Sequence, residues 1–284
     1  MMPPKPFRLR YAAHLGFRSL DLPLFPHSAT SRDPVDQIRY AAALGFAGIQ
    51  DPWFATRPTD DQGRIVAAIR EHGLAAASIV CGSPQDIRRP LWQPRDTADR
   101  AALKTAIETT FIAAARLGAR QVAVVTGRHD DMTDAAQETL FADTVQDAGE
   151  LARAHGITLM LEAISPRNVP GLLLTRFAQA AQLVRRIDRP AVRLIYDTGH
   201  LQATEGDLLG NFERHRDIIG LVQIANHPGR TEPSVGEINM AAILRAVKAS
   251  GYQGLIELEH LWAEPGAAAE RAGIDWLRMT DAAL

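Results

Sequence analysis

Four oxygen-bearing side chains recur through the second half of the 284-residue chain: Glu162, Asp197, Gln223 and Glu259, separated by 35, 26 and 36 residues. Each stands at the end of a short apolar run, in turn ITLMLE, VRLIYD, GLVQ and GLIELE. One acidic residue in such a place could cap a helix or pair with a surface cation. Four on consecutive runs form a polar cluster that needs its own explanation. Three carboxylates held together repel one another unless a cation sits among them. An all-oxygen donor set favours a hard divalent ion, Mg²⁺ or Mn²⁺, over zinc.

Other polar residues lie close to these in sequence. His200, in the turn YDTGH, could touch a metal or substrate, or cap a helix. Arg230, in HPGRTEP, could hold an anionic substrate group bidentately, and His227 shares that loop. His14 ends the first apolar run, where it could line a pocket or serve as a hydrogen-bonded core histidine. His129 in GRHDD reaches toward the same end of the chain's strands only weakly. Glu257 lies two residues before Glu259 and so faces the same side, one layer deeper. A buried carboxylate needs a partner, and Arg193, four residues before Asp197 on the same face, is a candidate for a structural, non-catalytic pair. Trp53 and Phe54 are candidates for a pocket wall, and Cys81 for a small buried side chain. There is no G-x-S-x-G and no H-E-x-x-H.

These residues need a scaffold that brings strand ends together. An amphipathic helix ending in glycine, followed almost at once by an apolar strand, recurs around Gly45, Gly73, Gly118, Gly156 and Gly251. Asp33-Pro34 reads as a helix start, a capping carboxylate before a proline at the first helical position. Eight apolar runs alternate with helices: RLRYAAHL, FAGIQ, LAAASIV, QVAVV, ITLMLEAI, AVRLIYD, IIGLVQIA and GLIELEH. Short, nearly continuous apolar strands imply a parallel sheet buried on both faces. Eight such units in this length predict one closed (β/α)₈ barrel over residues 1–284, with its site on the loops at the carboxyl ends of the strands. No G-x-G-x-x-G follows the first strand and no phosphate-loop motif occurs. Residues 82–96 read as a long surface loop.

Lys plus Arg is 31 and Asp plus Glu is 33, a formal charge of −2. That balance argues against a nucleic-acid or anionic-membrane partner and leaves a small-molecule substrate. Hydrophobic residues make up 46%, enough for a sizeable core, and the single cysteine excludes a disulfide framework and fits a reducing compartment. The N-terminal MMPPKPFRLR lacks a signal-like apolar run, and no stretch approaches membrane-spanning length. A cytoplasmic, unanchored chain is therefore expected.

At its candidate residues the chain resembles the xylose isomerase-like barrel superfamily and, within it, the hydroxypyruvate isomerase group. The stretches LEAISPRNVPGLLLT, IYDTGHLQATEGDL, GLVQIANHPGRTEPSVGEINM and GYQGLIELEH carry the likeness. It extends over about residues 150–262 and covers the first half at the level of fold. The resemblance implies metal ligands at Glu162, Asp197, Gln223 and Glu259, with Glu162 and Glu259 as the paired proton-transfer carboxylates. It implies substrate contacts at His200 and Arg230, and a homodimer or homotetramer. The chain departs from the pattern at Gln50-Asp51, where a glutamate is common, in the 82–96 loop, at Glu257 and at His227.

The chemistry that follows is isomerisation of an α-hydroxycarbonyl compound through an enediolate. For hydroxypyruvate the product is tartronate semialdehyde, with Arg230 on the carboxylate. A ketose 3-epimerase would use the same site with protonation on the other face. Metal-dependent hydrolysis or dehydration, and a non-catalytic binding barrel, are the alternatives of another class.

Overall fold

The apolar runs form strands where the chain leaves a glycine-terminated helix. A computed structural model describes residues 6–284; residues 1–5, the start of the segment read above as lacking a leader, lie outside the described residues. Elements run in the order β1 (Tyr11–His14), α1 (Pro34–Ala43), β2 (Gly48–Gln50), α2 (Thr59–Glu71), β3 (Ala75–Ala76), β4 (Ile79–Val80), α3 (Thr97–Leu117), β5 (Gln121–Val124) and α4 (Asp134–Ala154). They continue with β6 (Thr158–Leu161), α5 (Phe177–Ile187), β7 (Val192–Asp197), α6 (Thr198–Thr204), α7 (Leu208–His215), β8 (Ile219–Ile224), α8 (Met240–Ala249), β9 (Ile256–Leu258) and α9 (Ala267–Ala282).

Helix ends obey local rules. The Asp33 carboxylate accepts from Val35 N at 2.9 Å and Asp96 from Asp99 N at 2.8 Å. The five junction glycines all have positive φ, between 64° and 85°. At Gly118 nothing would obstruct a Cβ, so its φ of 85° and not crowding is what calls for glycine.

All strand pairs are parallel, in the order β3-β2-β1-β9-β8-β7-β6-β5-β4. The run LAAASIV, read as one strand, is interrupted at Ala77–Ser78. Its first half pairs with β2 and its second with β5. The two halves are one strand in space, joining the ends of the order and closing an eight-stranded (β/α)₈ barrel. Ala77 N still donates to Ile49 O at 2.8 Å, whereas Ser78 N turns into the barrel and donates to the Glu257 carboxylate at 2.8 Å. That inward bond is the physical reason for the break.

Alternation along each strand separates two cores. Val122, Leu159, Leu194 and Val222 face the helices, while Ala123, Met160, Ile195 and Leu221 form a small layer inside the barrel. By the same period of two, Glu162, Asp197, Gln223, Glu257 and Glu259 all point inward.

One buried ion pair braces the first two strand ends. Arg57 Nε donates to Asp51 Oδ2 at 2.6 Å, and Arg57 Nη2 donates to Leu15 O at 3.2 Å. Arg57→Ala would strand a fully buried carboxylate. The expected result is a loss of about 3 kcal/mol in unfolding free energy, read from urea titration.

Candidate active site

The register sets the site in layers. Asp197 aligns with Gln223, and Gln223 with Glu257, so these three share one level inside the barrel. Glu259 and Glu162 stand just beyond β9 and β6, at the barrel's carboxyl end. Asp197 also caps α6, its Oδ1 accepting from His200 N at 2.8 Å, which fixes the turn that presents His200.

A continuous polar network links them. Gln50 Nε2 donates to Glu257 Oε2 at 2.8 Å and to Glu259 Oε1 at 2.8 Å. Gln223 Nε2 donates to the same two oxygens at 2.9 and 3.1 Å. Arg230 donates from Nη1 and Nη2 to the two oxygens of Asp197 at 3.1 and 2.7 Å, and from Nη2 to Glu259 Oε2. The bidentate face expected to meet a substrate anion is thus taken by Asp197. Arg230 holds this position with a φ of 56°, in a loop organised by Asn226, whose Oδ1 accepts from His227 N and Ile238 N at 2.8 and 2.9 Å.

The expected Glu257–Arg193 pair does not form. Glu257 is level with Asp197, whereas Arg193 lies four residues lower on β7, roughly 13 Å along the strand. Instead Glu257 accepts from Ser78 N, Gln50 and Gln223.

Four buried carboxylates therefore face one guanidinium. Burial, then Glu259 and Asp197, pushes the Glu162 carboxyl well above the usual carboxylate range. Burial and then Glu259 raise Glu257 to about 7. Burial raises Glu259 more than Arg230 lowers it, so it too sits high. At Asp197 burial also pushes up, but Arg230 and His200 outweigh it and hold the carboxyl low. Burial, then Arg230, lowers His200 to about 3. Its Nε2 lies 3.8 Å from Glu162 Oε1, and with a neutral imidazole that contact is not an ion pair.

This donor set fits a divalent cation. Glu162, Asp197 and His200 each offer a ligand atom within 4.8 Å of the others, all buried. Gln223 Oε1 and His200 Nδ1 are buried with no partner, and the carboxylates outnumber the one cation among them. Oxygen donors in excess of local positive charge are what a divalent ion would satisfy.

Glu162, His200, Arg230 and Glu259 lie on one cavity of about 750 Å³. Phe17 and Trp53 line one side, tied by Trp53 Nε1 donating to Phe17 O at 2.8 Å. The 82–96 segment, read as surface loop, supplies Pro84, Gln85, Ile87 and Arg88 to the wall. It is anchored by fully buried Trp92 and by Gln93 Nε2 donating to Gly127 O at 2.7 Å. A Cβ at Gly127 would meet Arg88 O at 1.9 Å, so only glycine allows this approach.

The other candidates fall elsewhere. His14 does not line the cavity; its Nδ1 accepts from Gly16 N and its Nε2 contacts His260 O, both at 3.1 Å, which occupies the ring within the core. His227 is half-buried and also outside the lining. His129 Nε2 contacts Gln93 O at 3.0 Å and steadies the loop. Phe54 is core, and Cys81 is buried with its thiol pushed up to about 12. The sequence reading did not single out Arg18, Arg88 or Arg167, which line the cavity mouth. Their only sequence signal is an arginine in each of three loops that follow strands.

The xylose isomerase-like TIM barrel family profile matches residues 38–280, and the chain belongs to that family. It is 30% identical over 187 residues to a putative hydroxypyruvate isomerase of Homo sapiens, covering 63% of this chain and 66% of that one. It is 31% identical over 138 residues to a 2-oxo-tetronate isomerase of Cupriavidus necator, covering 49% and 52%. The chain thus spans between half and two thirds of the length of these relatives. Among solved structures, an AP endonuclease, family 2, from Brucella melitensis superposes with a TM-score of 0.78 at 23% identity, over 95% of this chain and 98% of that one, which establishes the fold. Among the described residues no helix is long and apolar enough to cross a membrane.

Proposed function

We propose that the chain is a divalent-metal-dependent isomerase of small α-hydroxycarbonyl acids acting through an enediolate, a reading supported by relatives named putative hydroxypyruvate isomerase and 2-oxo-tetronate isomerase. The observation that carries this reading is the pair Glu162 and Glu259. Both are buried carboxylates that stand just beyond their strands and line one cavity. Two carboxylates on one cavity can take a proton from one carbon of a bound substrate and return one to its neighbour.

The two differ in how they are held. No hydrogen bond engages the Glu162 carboxylate among the described residues, so it is free to act as the base. Both oxygens of Glu259 are held, by Gln50, Gln223 and Arg230. In hydroxypyruvate Glu162 would take a proton from the hydroxymethyl carbon, leaving an enediolate across that carbon and the former carbonyl carbon. A proton returned to the former carbonyl carbon, with the terminal hydroxyl proton passing to the former carbonyl oxygen, gives tartronate semialdehyde with no net change in atoms. Neutral His200 is placed to hydrogen-bond a substrate oxygen beside Glu162. Glu162, Asp197, Gln223 and Glu259 would hold the metal, Mg²⁺ or Mn²⁺, which when bound polarises the carbonyl as a Lewis acid.

Proton NMR in D₂O tests the proposal. With Mg²⁺ or Mn²⁺ supplied, the protein is expected to exchange deuterium into the carbon beside the carbonyl of hydroxypyruvate and to yield a new aldehyde. An epimer from a ketose would assign the sugar epimerase reading instead. Metal binding without exchange on hydroxypyruvate or any ketose would reject both and favour hydrolysis, elimination or a binding role.

A further inference from the structure

Three arginines crown the cavity. Arg18 lies in the loop between β1 and α1, Arg88 in the segment after β4 and Arg167 in the segment after β6, and all three side chains line the same opening. All three are exposed, and none has an acidic partner among the described residues. The contrast with neighbouring loops is sharp. Arg89 pairs with Asp86, Arg95 with Asp131 and Arg128 with Asp134, at 2.7 to 2.9 Å. The three at the mouth lack such a carboxylate.

Nothing else at the mouth offsets them. Among the described residues the only acids on the cavity are Glu162 and Glu259 at its floor; Gln85 and Asn168 are the neutral polar neighbours. Burial and the like charge of Arg230 both hold Arg18 below its ordinary pKa. The cavity is thus negative at the base and positive at the rim, a polarity that low-dielectric walls focus along its length. Its volume is that of a site for ligands larger than a three-carbon acid. Arg230, the one buried guanidinium at the floor, is already spent on Asp197 and Glu259.

We propose that Arg18, Arg88 and Arg167 form an anion anchor at the cavity mouth, so that the preferred substrate is an extended α-hydroxycarbonyl compound with a carboxylate or phosphate at the end remote from the reacting carbonyl. The reacting end lies on the carboxylate floor, and the guanidinium forks meet the terminal anion, for which their planar donors are suited. This rests on the enediolate reading for the reacting end but not for the anchor.

The test uses three compounds that share one six-carbon 2-ketose skeleton: D-fructose, D-fructuronate and D-fructose 6-phosphate. They differ only in a neutral, carboxylate or phosphate terminus. Deuterium exchange is followed with the full chain and Mn²⁺. The expected result is a kcat/KM at least tenfold higher for one or both anions than for D-fructose, carried by KM. Arg88→Ala/Arg167→Ala is expected to lower that preference about tenfold or more, while Arg89→Ala, whose side chain pairs with Asp86, keeps it. Substitution of unpartnered exposed arginines leaves the fold intact, and circular dichroism checks this. Whichever anion is favoured identifies the terminal group. Equal rates on all three, or a preference that survives the double substitution, overturn the anchor. Trp53 provides a second readout if none of the three exchanges. Quenching of its fluorescence by the anions, lost in the double variant, retains the anchor, and exchange on hydroxypyruvate decides the enediolate reading separately. Quenching by none, or equally in both proteins, overturns the anchor.

Discussion

Glu259→Gln is expected to lower formation of tartronate semialdehyde from hydroxypyruvate by about 1000-fold, within the range for losing a positioned acid–base group. The amide is nearly isosteric and can still accept from Gln50 and Gln223 through its oxygen, while its NH₂ group replaces the oxygen that accepts from Arg230. It cannot return a proton to the former carbonyl carbon. The fold is expected to survive because the change removes one of four mutually repelling buried carboxylates, and Arg230 keeps its bidentate grip on Asp197. Circular dichroism and a cooperative thermal transition check that the variant folds. Near-full product formation by a folded Glu259→Gln protein would eliminate the proposed role.

The second large effect belongs to Arg230. Its guanidinium, 4% exposed, is the one cation bonded to Asp197 and Glu259. Arg230→Ala leaves two buried carboxylates without a counter-charge, with Glu162 beside them. Breaking a buried pair in this way costs about 3–5 kcal/mol. In the presence of EDTA the variant is expected to lose that much in urea titration. Added Mn²⁺ is expected to recover most of it, because an ion bound by the folded state alone stabilises that state by mass action and supplies the missing charge. Equal losses with and without Mn²⁺ would mean that the carboxylate cluster does not take up the ion.

The departures from the family pattern acquire a shared explanation in the barrel interior. Gln50 and Glu257, noted separately in the sequence, are bonded to each other at 2.8 Å, and both are bonded to the network that reaches Glu259. Glu257 accepts the amide N–H groups of both glutamines, which leaves the Gln223 carbonyl oxygen unpartnered. Arg193 was the expected partner because spacing along one strand carries no information about the level of another. Parallel register decides that level, and no local periodicity encodes it. His14 illustrates the same limit: its place at the end of β1 was legible, but not the contacts with Gly16 and His260 that occupy both ring nitrogens.

By itself the sequence determined the alternation of helix and strand, the glycine junctions, and the inward-facing oxygen donors at successive strand ends. Each is a local property: a capping residue, a left-handed φ at a helix terminus, or a side-chain period of two. Together they sufficed for a closed parallel barrel with an acidic rim. Tertiary structure decided that the third strand breaks to send Ser78 N toward Glu257, and that Arg230 turns onto Asp197 and Glu259. It also carried the 82–96 segment over the cavity and gathered Arg18, Arg88 and Arg167 at its mouth. Those outcomes depend on which distant loops converge in space and on how buried charge is neutralised once they do.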